Sequence, residues 1–144
     1  MRTIALSACL VTATAASAAP YTDYIPKKSS FEITVVAVDP TRLDDYLTAL
    51  RAQAIPCWEA MKKAGVIDDY GIAQKLTPDA KGGNVLLWLH HPSLTTMEPD
   101  QQRDQEIDKV CDTDASKKKR ESFNDYRKFQ SNDIWMEVEY PKPK

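Results

Sequence analysis

The pair Asp39-Pro40 separates two different periodicities. Before it, residues 31–38 read FEITVVAV, a run rich in β-branched side chains that suits a pleated strand. After it, Leu43, Tyr46, Leu47, Leu50, Ala54, Cys57, Trp58 and Met61 recur at three- and four-residue steps. That spacing lays them along one face of a helix. Aspartate caps a helix N-terminus and proline suits its first turn, so the switch point is itself a start signal. The helix is predicted to run to about residue 64, where Gly65 supplies a stop. Pro56 lies inside it and is expected to kink or break it, because an interior proline removes a hydrogen bond.

The same signals divide the rest of the chain. Residues 70–76, YGIAQKL, read as a short strand, and TPDAKGG as the turn after it. NVLLWLHH, residues 84–91, is a strong strand ended by Pro92. Residues 99–111 are predicted helical with Ile107, Val110 and Cys111 inward, and residues 115–129 form a second helical stretch carrying Phe123 and Tyr126. DIWMEVEY, residues 133–140, is the last strand. The order β-α-β-β-α-β predicts an α+β, ferredoxin-like fold. Its four antiparallel strands would lie in the order 4-1-3-2, with both helical layers on one face. The other face would be bare, and a second copy of the chain is the expected cover.

The first 18 residues stand apart from this domain. They begin with a positive Arg2, continue through an apolar stretch, and end in Ala16-Ser17-Ala18, the pattern of a cleaved secretory signal. Residues 19–30 would be an extended lead-in, 31–140 the domain, and 141–144 a disordered tail. The mature protein is therefore expected in a periplasmic or extracellular compartment, with no membrane span. Removal of the signal leaves Cys57 and Cys111, an even count that in an oxidising compartment favours a disulfide over two inert buried thiols. The net charge is −2 with both signs interspersed, which argues against nucleic acid as a partner. With no Cys-x-x-Cys pair and no paired histidine spacing, no zinc site is predicted. Only four glycines are present, and no phosphate loop or nucleophile elbow is found.

Three segments carry a family resemblance: VAVDPTRLDDYLTALR, IPCWEAMKKAGVIDDYGI and NVLLWLHHPSL. Over residues 31–140 the chain is similar to the dimeric α/β-barrel superfamily. The resemblance implies a homodimer in which two sheets pack face to face around a central cavity. Members include cofactor-independent monooxygenases of antibiotic biosynthesis, lactone isomerases and haem-handling enzymes. The haem-binding members carry a ligand histidine on a helix. Neither predicted helix here contains one, so no cofactor is expected.

Strand alternation assigns candidates to such a cavity. Phe31, Ile33, Val35 and Ala37 are expected to meet the helices, leaving Glu32, Thr34, Val36 and Val38 toward the cavity. In the last strand Trp135, Glu137 and Glu139 would face the cavity, with Ile134, Met136 and Val138 behind. In the third strand Leu86, Trp88 and His90 would face it, with His91 turned to the helix side. Antiparallel pairing then predicts a row of His90, Glu32 and Glu139, a candidate acid–base cluster. Trp88, Glu137, Trp135, Thr34 and Leu86 would line the rest of a ligand site, the tryptophans as a stacking wall. Three functions are compatible with this pattern. The chain is an exported binder of a small apolar or aromatic molecule, a cofactor-independent oxygenase or isomerase, or a purely structural dimerisation module.

Overall fold

The computed structural model describes residues 19–77 and 82–142. The signal-like segment 1–18, part of the turn between the second and third strands, and the last two residues lie outside them. The described residues form an α+β fold: an open four-stranded antiparallel sheet and three α-helices. The strands are β1 (Ile25–Val38), β2 (Asp69–Gln74), β3 (Val85–His91) and β4 (Arg127–Glu139). The helices are α1 (Leu43–Lys63), α2 (Gln101–Cys111) and α3 (Asp114–Glu121). The sheet order is β2-β3-β1-β4, consistent with a ferredoxin-like class.

The Asp39-Pro40 boundary behaves as its chemistry requires. The Asp39 carboxylate accepts a hydrogen bond from the Thr41 amide at 2.9 Å and caps a short 3-10 turn, Pro40–Arg42, that leads into α1. α1 is continuous through Pro56, against the expected break. Both neighbouring turns are anchored: Tyr46, Ala49 and Leu50 are buried on one side of Pro56 and Trp58 on the other. Cys57, next to the proline, is crosslinked to Cys111. The packing holds the helix where its own hydrogen-bond ladder is weakest.

Two apolar clusters fill the space between helices and sheet. Val36, Val38, Tyr46, Ala49, Leu50, Val85 and Phe123 form the first. Trp58, Val66 and Ile67 form the second, with Leu89, Met61 and Ile107 packed against them. Val36 is fully buried, so β1 turns its even-numbered residues toward the helices. This reverses the face expected for β1. Residues 33–38 are apolar on both faces apart from Thr34, so their alternation carries no directional signal. The polar even positions Glu32 and Thr34 favoured the opposite face. Glu32 lies in a cleft on the helix side, between the end of α1 and α2.

Two boundaries also differ. β1 begins at Ile25, within what the sequence presents as a lead-in, and β4 begins at Arg127, within the stretch predicted as helix. Each extension pairs with the expected part of the other strand, Arg127 and Phe129 with Val38 and Val36 at one end and Ile25 with Glu139 at the other. Arg127 then lies over the rings of Phe123 and Phe129 at 5.2 and 4.8 Å. A local helical pattern is overridden because a long central strand offers more cross-strand pairs than one further helical turn.

The Cys57–Cys111 disulfide ties α1 to α2 across a separation of 54 residues. A loop of that length corresponds to about 4 kcal/mol of lost unfolded-state entropy. We expect the double variant Cys57→Ser/Cys111→Ser to unfold in urea with a free energy lower by about 2–4 kcal/mol. An unchanged midpoint would show that the crosslink contributes nothing to stability.

Candidate functional site

The helices cover one face of the sheet and leave the other open. In register across the open face lie His90, Phe31 and Trp135, from β3, β1 and β4. The next row is Gly71, Trp88, Ile33 and Asp133, and the one after is Ala73, Leu86, Val35 and Ser131. Phe31 is the hinge of the aromatic group. Its ring lies 6.0 Å from that of Trp88, edge to face, and 4.6 Å from that of His90. Trp135 stands on the edge strand, 59% exposed. The Trp88 indole lies across Gly71, where an added Cβ would come within 2.5 Å of the ring. Only glycine permits that close approach.

One end of this platform is polar. Asp68, in the loop before β2, contacts His90 Nδ1 through its carboxylate. His90 Nε2 lies 3.5 Å from Glu137. Glu137 in turn accepts hydrogen bonds from Lys27 Nζ and Ser29 Oγ, both at 2.6 Å. The Lys27 bond first, then the Ser29 bond, hold the Glu137 carboxyl down to about 2. Lys27 is correspondingly raised, chiefly by its bond to Glu137. Glu137 is therefore an ionised partner of Lys27 and a poor proton acceptor. Asp68 at Nδ1 and Glu137 near Nε2 together fix the orientation of the His90 ring at the edge of the platform.

The row expected from the sequence is rearranged accordingly. His90, Trp88, Leu86, Trp135 and Glu137 share the open face. Glu32 and Thr34 do not, because β1 is turned the other way: Glu32 lies 3.5 Å from His91 on the helix side, and Thr34 pairs with Leu87 and Asn132. Glu139 is at the far end of β4, 3.9 Å from Lys27, rather than beside His90. His91 is buried on the helix side as expected, its Nδ1 donating to the Val66 carbonyl. Sequence reasoning missed Phe31, Asp68 and Lys27. Asp68 carried a signal: the acidic pair Asp68-Asp69 immediately precedes a strand that runs antiparallel beside the end of β3, and Asp69 pairs with His90.

Two consequences are measurable. Glu137 is depressed when folded, so its contribution to stability is complete above its ordinary value of 4.5 and is lost as pH falls toward about 2. We expect the urea unfolding free energy of the wild type to fall across that window and that of Glu137→Gln to fall less steeply; identical slopes would contradict the assignment. We also expect Gly71→Ala to displace the Trp88 indole and cost about 1–3 kcal/mol. Unaltered near-ultraviolet dichroism and stability would show that the ring is not seated there.

No family model matches the chain, and no curated protein matches it. Among solved structures it is similar to a conserved protein from Methanosarcina mazei Go1, at 14% identity and a TM-score of 0.43. That likeness covers 80% of this chain and 95% of the other.

Proposed function

We propose that the chain is an exported, homodimeric protein of the dimeric α/β-barrel type that binds a small apolar or aromatic molecule between its paired sheets. The observation that carries this reading is the open face itself. Phe31, Ile33, Val35, Leu86, Trp88 and Trp135 lie side by side on a face that no helix covers among the described residues. Apolar surface in contact with water costs roughly 25 cal/mol per Å², so such a face favours a cover. A second copy supplies one of matching extent, and a cavity between two such faces would be walled by aromatic rings. Asp68, His90 and Glu137 would then offer directional contacts to one polar group of an otherwise flat ligand. The disulfide fits an extracellular or periplasmic location, and no helix among the described residues is long and apolar enough to cross a membrane.

A second reading is favoured by the Asp68–His90 contact. A carboxylate that orients an imidazole beside an apolar cavity is the arrangement of a general base, suited to an oxygenase or isomerase that needs no cofactor. The residue expected to accept the proton is His90; Glu32 and Glu139 have no part in this version.

Native mass spectrometry and sedimentation of the protein purified from its own compartment test both. The dimer mass, with a small molecule retained, is expected for the wild type. Trp135→Glu places a charge in the interface without touching the core, and is expected to give a folded monomer that has lost the ligand. A wild-type monomer would end the barrel reading. Turnover of the recovered ligand that is abolished in His90→Gln would select the enzyme over the binder.

A further inference from the structure

A second cleft, of about 340 Å³, opens on the helix side of the sheet. Glu32, His91, Met61 from the end of α1, Met97 from a short 3-10 turn, and Arg103 and Ile107 from α2 are among the residues that line it. His91 is only 2% exposed. Its Nδ1 lies 3.1 Å from the Val66 carbonyl oxygen, and a carbonyl can only accept. The Nδ1 position therefore carries a proton, and Nε2 is left facing the cleft. That atom is buried and has no hydrogen-bond partner. What faces it, 3.5 Å away, is Glu32 Oε2, an acceptor. Either a second ring proton or a cation is needed between these two atoms. Glu32 receives a bond from the neutral amide of Asn132 at 3.2 Å, and among the described residues no lysine or arginine pairs with it.

We propose that this cleft binds one copper(I) ion, held by His91 Nε2 and the thioether sulfurs of Met61 and Met97, with Glu32 balancing its charge. A histidine whose other ring nitrogen donates to a backbone carbonyl is fixed in the tautomer and orientation that metal ligation needs. Thioethers are soft donors and select copper(I) over the harder divalent ions. Methionine is unbranched and flexible, so a sulfur lining a cleft can swing into it at small cost. Arg103, paired with Asp104, and Asp108 also line the cleft, so its carboxylates outnumber its one cationic side chain and a bound cation would offset the excess. The rival occupant is a proton, making His91 and Glu32 a simple ion pair. The cleft and the open face lie on opposite sides of the sheet, so failure of one assignment leaves the other intact.

The test uses the mature, disulfide-bonded protein, titrated anaerobically with copper(I) against a chromogenic chelator, with silver(I) in parallel as a redox-inert substitute. We expect one ion per chain and X-ray absorption that contains sulfur scatterers. Met61→Leu/Met97→Leu nearly conserves volume. It is expected to weaken copper(I) binding at least a hundredfold with the far-ultraviolet dichroism unchanged. Met97→Leu alone, on a surface turn, serves if the double variant does not fold, and should weaken binding at least tenfold. The assignment is overturned if the wild type retains no copper(I), if the leucine variants bind as well as the wild type, or if only nitrogen and oxygen surround the metal.

Discussion

β1 is hydrogen-bonded on both sides, to β3 through Ser30–Val36 and to β4 along most of its length, so its side chains have no freedom to choose a face. Once Val36 and Val38 enter the core, every other position on β1 follows. Phe31 is forced onto the open face between His90 and Trp135, and Glu32 onto the helix side beside His91. A shift of one residue would exchange these neighbours completely. The composition of both faces of the sheet therefore depends on which of two nearly equivalent apolar sets of one strand is buried, and α1 makes that choice by placing Tyr46, Ala49 and Leu50 against it.

This explains which parts of the molecule were legible in the sequence. The α1 stripe, the capping at Asp39 and the pairing of Cys57 with Cys111 each rest on local chemistry or simple counting, and each is found. The separation of His90 from His91 follows from strand geometry alone and holds as well. The face of β1 was not legible, because residues 33–38 are almost uniformly apolar and the deciding contacts come from another element. The same is true of β4 between Arg127 and Asn132: alone it carries no strand signal, and it becomes a strand because Thr34–Val38 of β1 pair with it. Lys27 was hidden for the related reason that Ile25–Ser30 looks like a polar leader and turns out to be the first half of β1. The candidate site was thus readable residue by residue on β3 and on part of β4, but not as a constellation.

The open face combines two environments that would be incompatible if mixed. Its centre is aromatic and aliphatic, while its charges collect at one end around Glu137. That carboxylate is satisfied by Lys27 and Ser29 before any partner arrives. A charge already paired on its own chain costs less to cover than a bare one, because covering it does not strand an unpaired ion. The polar end is therefore compatible with being roofed by another copy, and the apolar centre benefits from it. Val138 and Ile134 lie on the helix side of β4 beyond the reach of the helices and are about half exposed. The edge of the sheet, and not only its face, is thereby available for burial on association.

The two adjacent histidines share one pattern of wiring and differ in what completes it. Each has Nδ1 engaged, His90 with Asp68 and His91 with the Val66 carbonyl, and each presents Nε2 to a carboxylate at 3.5 Å. On the open face that carboxylate is Glu137, neutralised by Lys27, and the surrounding groups are rings. Nothing there demands a further cation, and the imidazole remains available to a neutral ligand. On the helix side the carboxylate is Glu32, bonded only to an amide, and the surrounding groups include two thioethers. There the lining carboxylates outnumber the one arginine, and Met61 and Met97 line the same cleft. Strand geometry puts the two rings on opposite faces; the charge state of the nearest carboxylate then determines that one ring suits an uncharged molecule and the other a cation.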